Sequence, residues 1–321
     1  MEERLLVTAS PHIRDHSTTR GLMGNVVIAL LPCVLASALI FGVQALVQVV
    51  VTTFACVAFE YIYEVLLHKQ NTVGDLSAVV TGIILALNMP VGMPLWIAVV
   101  GAFVAIITKQ LFGGIGYNFA NPALVGRIVL FLGFTARMTA YVYPDMAVDS
   151  LASATPLASS VDLSTVNFMD MFLGLHGGML GETCVLAILA GFAILLATGT
   201  IQATIPVSIV ATCYILTALY TGDPYVALME CMAGGLLFGA VFMATDYVTS
   251  PFTTKGKLFY GIFIGLLTFL IRHFASMNEG MSFAILLGNL MVPWFNAWGH
   301  QVPLGFKKAK KAKAKKEGGA D

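Results

Sequence analysis

Residues 23–67 read MGNVVIALLPCVLASALIFGVQALVQVVVTTFACVAFEYIYEVLL, and from Met23 to Phe59 no residue carries a charge. At 1.5 Å of rise per residue, about 20 apolar residues cross a ~30 Å hydrocarbon layer as a helix. The stretch is therefore two membrane spans in succession, divided near Gly42. The same length recurs to the end of the apolar region. It predicts spans at 23–43, 45–67, 76–89, 94–113, 122–142, 180–198, 202–221, 225–245, 258–274 and 281–299. The third is too short to cross alone and ends in Asn88-Met89-Pro90, where proline supplies no backbone donor, so a broken helix is expected there.

Composition agrees. Of the 321 residues, 58% are hydrophobic and only 11% charged, against about 25% charged in soluble domains. The fold class expected is all-α: a polytopic integral membrane protein of about ten transmembrane helices. It divides into a cytoplasmic N-terminal segment 1–22, a membrane domain 23–299 with an extracytoplasmic loop 143–179, and a Lys-rich cytoplasmic tail 300–321. The opening MEERLLVTASPHIRDHSTTR holds two Glu and several further charged or His positions before any apolar run, unlike a secretory signal. Cys33, Cys56, Cys184, Cys213 and Cys231 fall in apolar runs without CxxC spacing and read as buried thiols. The 15 Met and 21 Phe read as packing and lipid contact.

Lys and Arg set the orientation. With the N-terminus in the cytoplasm, Arg14, Arg20, His68, Lys69, Lys109, Lys255, Lys257 and the tail share one side of a cytoplasmic (inner) membrane. The loop 143–179 then faces outward, with Asp145, Asp149, Asp162 and Asp170 but no Lys or Arg. Arg272 and His273 are the exception. The tail GFKKAKKAKAKKEGGAD suits a solvated anchor beside anionic lipid headgroups. No aromatic or folded module accompanies its charge, so no nucleic-acid partner is expected.

Two short matches suggest an internal repeat. Gly74-Asp75 opens the third span and Gly222-Asp223 the eighth; Gly116-Tyr117-Asn118-Phe119-Ala120 precedes the fifth and Gly280-Met281-Ser282-Phe283-Ala284 the tenth. Five spans per half would place the second copy upside down, the inverted repeat of transporters with a site near interrupted helices.

Three polar segments could carry chemistry. The outer loop holds Asp149-Ser150-Leu151-Ala152-Ser153-Ala154-Thr155-Pro156, in which Pro156 biases Thr155 toward an extended backbone. Asn118 and Asn121 stand at the mouth of the fifth span, with Arg127 about two turns inside it. An ionisable group at that depth marks function by default or satisfies freed carbonyls at a helix break. Thr245 and Asp246 end the eighth span; Asp246 could cap a turn or line a pocket opposite Asn118. Glu60 and Glu64, four apart on one helical face, could pass a cation or simply sit at the interface beside His68 and Lys69.

The segment DSLASAT at 149–155 resembles the flavinylation motif of the NqrB/RnfD family. SPHIR at 10–14, GYNFANPALVGR at 116–127, GGLLFGAVFMATDYVTSPFTTKGK at 234–257 and EGMSFAILLGN at 279–289 extend the resemblance over nearly the whole membrane domain. Ser150, Ala152 and Ser153 depart from the commonest form of the motif, whereas the acid and the Ala154-Thr155 pair are kept. The resemblance implies FMN joined to Thr155 by a phosphoester bond, with Asp149, Ser153 and Ala154 around it, placed there by a separate flavin transferase. It further implies a noncovalent riboflavin, for which Asn118, Asn121, Arg127, Thr245 and Asp246 are the candidates. The short segment before the first span fits the RnfD branch, from the Rnf electron transport complex, better than the quinone-reducing NqrB branch. The implied role is a flavin-carrying subunit of a redox-driven translocase. It would pass electrons between ferredoxin and NAD, coupled to Na+ or H+, with iron–sulfur and flavin centres on partner subunits. The residues alone, without the resemblance, favour an inverted-repeat transporter or channel.

Overall fold

A computed structural model describes residues 18–69, 71–142, 157, 163, 166–275 and 280–299. Asp149, Ser153, Ala154 and Thr155, the first 17 residues and the Lys-rich tail lie outside the described residues. Among those described, the chain is helical with no strand. The helices are α1 (Thr19–Phe41), α2 (Val43–Leu66), α3 (Ser77–Leu87), α4 (Leu95–Leu111), α5 (Pro122–Gly133), α6 (Thr135–Met138) and α7 (Phe168–Leu173). They continue with α8 (Val185–Ala197), α9 (Thr204–Thr221), α10 (Pro224–Met232), α11 (Leu236–Phe238), α12 (Thr254–Phe274) and α13 (Met281–Trp298). A π-helical turn, Gly239–Met243, continues α11.

Local chemistry sets the boundaries. Asn121 caps α5 by accepting from the N–H of Ala123, and Pro122 takes the first helical position, where no donor is needed. Asp223 and Pro224 do the same for α10. Around the bundle the outer helices turn large apolar side chains outward, including Leu35, Leu39, Val43, Val50 and Phe54. Such a surface is matched to lipid, where backbone groups must be satisfied within the protein.

Four helices, α1, α2, α9 and α12, are long and apolar enough to cross a membrane by themselves, and α10 with the α11 segment makes a fifth, bent by 65°. The expected spans at 76–89, 94–113, 122–142 and 180–198 form shorter apolar helices. Interruptions are the reason. The fifth span stops at Gly133 and restarts as the short α6. The sixth begins only at Val185, because Leu180 and Gly181 are engaged elsewhere: their N–H groups donate to the carbonyls of Met89 (3.1 Å) and Leu87 (2.7 Å), where α3 breaks. The eighth breaks at Gly234, whose φ of 66° suits glycine.

The two halves share one packing order. In the first, α2 lies on α3 and α4, and α4 on α5; in the second, α9 lies on α10 and α12, and α12 on α13. Across the junction α1 packs on α8 and α5 on α13. The start of α1 (Met23, Val26) and the end of α8 (Leu195) line one cleft, so equivalent helices run in opposite senses. Asp75 and Asp223 are equivalent in detail, each accepting from the N–H two residues on, at 2.9 and 2.8 Å. The second sequence match does not keep register: Gly280 is the N-cap of α13, and its counterpart is Asn121, not Gly116.

Close approach of α2 and α3 depends on Gly82, where a Cβ would stand 2.6 Å from the Cα of Thr53. Gly82→Ala should lower stability by about 1–3 kcal/mol, as overpacking does. Gly24→Ala, with nothing within 4 Å of the added carbon, should be neutral or stabilising by up to about 1 kcal/mol. Monodispersity of the detergent-solubilised protein after graded heating measures both; equal loss would disprove the close-packed contact.

Candidate functional site

One cleft gathers residues from both halves at the end of the bundle where α1 starts. Asn118 and Asn121 reach it from the segment leading into α5, and Thr245 and Asp246 from the end of the π-turn. Ser77 and Lys109 come from the start of α3 and the end of α4. Val26, Ile84, Leu195, Ile201, Val241 and Phe242 form its apolar walls. The cleft opens at its mouth, and the space inside it counted out into solvent is about 740 Å³.

Each polar group is held in place. The Asn121 amide nitrogen donates to the Met243 carbonyl at 3.3 Å, tying the α5 cap to the π-turn across the two halves. Asn118, with its amide oriented to satisfy its neighbours, donates to the carbonyls of Lys109 (3.1 Å) and Gly114 (3.2 Å). Thr245 donates its hydroxyl to the Val241 carbonyl. Asp246 accepts from the Thr249 hydroxyl at 3.1 Å and the Val248 N–H at 3.5 Å. It is thus both a turn cap and a wall of the cleft. Tyr247, at the mouth, donates its hydroxyl to the Thr200 carbonyl.

Arg127 is not among the residues lining this cleft. Its side chain is buried between the two helix breaks and donates to Asn88 Oδ1 at 2.9 Å and to Met179 Sδ at 3.1 Å. A Cβ built on Gly235 would stand 3.3 Å from its guanidinium and 3.1 Å from Glu182, so both charged groups converge on the second break. The expected grouping of Arg127 with Asn118 and Asn121 in one pocket therefore separates in space.

Two charged clusters escape a reading from sequence alone. Lys109, which the charge pattern places at an interface, is buried with Glu60, with Nζ 2.5 Å from Glu60 Oε1. Its one signal in sequence is the unbroken apolar run GAFVAIIT before it. Arg272, the exception to the orientation rule, donates to the carbonyls of Glu230 (2.7 Å) and Ala233 (3.1 Å), where α10 breaks. Its guanidinium and His273 also flank the Glu230 carboxylate, at 3.7 and 3.4 Å. Cation placement at a helix C-terminus is favourable, so Arg272 serves the break and not the membrane surface.

A helical protein with an apolar exterior, an inverted repeat and interrupted spans is an integral membrane protein. The sequence profile of the NQR2, RnfD, RnfE family matches residues 6–305, and the chain belongs to that family. It is 42% identical to the D subunit of the Na(+)-translocating ferredoxin:NAD(+) oxidoreductase complex of Acetobacterium woodii, over 97% of this chain and 98% of the relative. It is 34% identical to the D subunit of the proton-translocating ferredoxin:NAD(+) oxidoreductase complex of Clostridium ljungdahlii, over 93% and 96%. With the D subunit of the ion-translocating oxidoreductase complex of Cronobacter sakazakii it shares 32% identity, over 89% and 95%.

Arg127→Leu should destabilise the fold by about 1–3 kcal/mol through the orphaned Asn88 carbonyl, while a ligand of the cleft stays bound. Thermal stability and acid-extractable ligand, measured on one preparation, separate the two effects. Ligand loss at unchanged stability would place Arg127 in the site after all.

Proposed function

We propose that this chain is the D subunit of an ion-translocating ferredoxin:NAD oxidoreductase complex and carries two flavins, FMN esterified to Thr155 and a noncovalent riboflavin in the cleft. Family membership and full-length similarity to proteins bearing that name support the first part. The observation that carries the second is the meeting of Asn118, Asn121, Thr245 and Asp246 in one slot with apolar walls. A flavin ring is flat and largely apolar, with an imide edge that both donates and accepts. Asn amides offer both functions, and a carboxylate accepts. A bound flavin supplies one- and two-electron chemistry; the chain's residues position it and set its surroundings.

Support for FMN at Thr155 comes from the DSLASAT motif; the described residue two places on is Leu157. Leu157 packs with Met171, Val185, Met229, Met232 and Ala233. A Cβ on Gly234 would stand 2.6 Å from Leu157 Cδ1. Val185 at the start of α8 belongs to this cluster and Leu195 near its end lines the cleft, so the Leu157 cluster and the cleft stand about 15 Å apart along α8. The cleft end also carries Lys255 and Lys257, which favours placing it and both termini on the cytoplasmic side of the inner membrane. A flavin transferase would then act at the opposite end, and the iron–sulfur and flavin subunits of the complex would be the electron partners.

Thr155→Val keeps the side-chain shape and removes the ester oxygen. The chymotryptic loop peptide should lose the mass of FMN, in-gel flavin fluorescence of the subunit should vanish, and electron transfer through the complex should collapse, while acid-extractable flavin persists. An unmodified wild-type peptide in an active complex would refute the FMN assignment.

A further inference from the structure

Glu60 on α2 is fully buried, and its two oxygens are unequally served. Oε1 takes both the Lys109 ammonium at 2.5 Å and the Gln110 amide at 2.6 Å. Oε2 is shut off from solvent without a hydrogen-bond partner among the described residues. A buried ion pair is stable only when its remaining lone pairs are also satisfied, so this carboxylate is incompletely compensated. Glu64, one turn on, does not share the load; it accepts from the backbone N–H and the hydroxyl of Thr72.

Lys109 stands between Glu60 and the cleft. Its ammonium has three donors, one on Glu60 and one on the Ser77 hydroxyl. Ser77, Lys109 and Asp246 all line the cleft. One buried cation thus adjoins both a carboxylate and a space open to a ligand. Lysine suits that position because its charge rides on a flexible four-carbon stem.

We propose that Glu60 is a monovalent-cation site held closed by Lys109. Negative charge arriving in the cleft draws the ammonium toward it, and the vacated carboxylate takes up an external alkali cation or a proton. This rests on the reading that the cleft holds a one-electron carrier. The balance is one electron into the cleft, supplied by reduced ferredoxin through partner carriers, and one monovalent cation onto Glu60. With an alkali cation no covalent bond changes; with a proton one O–H bond forms on Glu60. Oxygen donors suit a hard cation, and the carboxylate, the Ser77 hydroxyl and the Gln110 amide oxygen, once that amide turns, are at hand.

Equilibrium binding of radioactive Na+ to the purified complex tests the exchange. Lys109→Gln removes the internal cation, so the variant should bind one more Na+ per chain than the oxidised wild type. If the ion is a proton, it should instead show a new protonated-carboxyl infrared band. Either signal should disappear in the Glu60→Gln/Lys109→Gln double variant. Dithionite reduction of the wild type should produce the same gain without any substitution. Neither Na+ nor band in Lys109→Gln would overturn the proposal and leave Glu60 a structural counter-ion. So would failure of Lys109→Gln to assemble where the double variant assembles, since no external cation would then replace the ammonium. Acid-extractable flavin, measured on the same samples, tests the occupant of the cleft separately: its absence would remove that reading, while the Lys109→Gln result would still decide Glu60.

Discussion

A helix that stops inside hydrocarbon leaves carbonyls that no water can reach, and the architecture follows from how this chain answers that constraint. At the end of α3 the answer is backbone: Gly181 and Leu180 donate to Leu87 and Met89, and Gln48 reaches the Pro90 carbonyl at 3.3 Å. At the end of α10 it is a side chain, the Arg272 guanidinium on Glu230 and Ala233. The chain between α7 and α8 is thereby drawn inward against the first break, and α12 is tied to the second. Each interruption is compensated by an element that would otherwise be free.

The cleft lies between the starts of α1 and α3, the end of α4, the segment entering α5, the end of α8 and the π-turn. Asn121 spans it, capping α5 with its oxygen while its nitrogen holds the Met243 carbonyl. Charge follows the same plan. The first half buries a cation in the last turn of α4, paired with Glu60; the second buries one in the last turn of α12, beside Glu230. The inverted repeat sets these clusters at opposite ends of the bundle. They differ in detail, since Lys109 adjoins an open cleft whereas Arg272 is engaged with backbone carbonyls.

Much of this is legible in sequence. Asn88-Met89-Pro90 announces the first break, because proline cannot continue the hydrogen-bond ladder, and Gly-Asp before the third and eighth spans marks equivalent helix starts. Asn118, Asn121, Thr245 and Asp246 stand out as polar residues at span ends. The second break is silent, since Ala233-Gly234-Gly235 interrupts an apolar run without a polar signal. The role of Arg272 is obscured for a related reason: a cation counted by a loop-charge rule carries no mark of the carbonyls it meets. Lys109 and Glu60 look interfacial because their partnership joins different helices, and only packing brings them together. Arg127 shares a helix with Asn121, yet two turns of helix carry its side chain away from the cleft to the breaks.

The most direct test of the account is the location of the extractable flavin. The complex would be prepared with the wild-type chain and with Asp246→Leu, which removes a carboxylate from the cleft wall. Flavin released by acid would be identified and counted per copy of this chain. The account predicts one riboflavin per complex lost in the variant, with the flavin bound covalently to this chain unchanged. Full riboflavin content in the variant, or none in the active wild type, would contradict it.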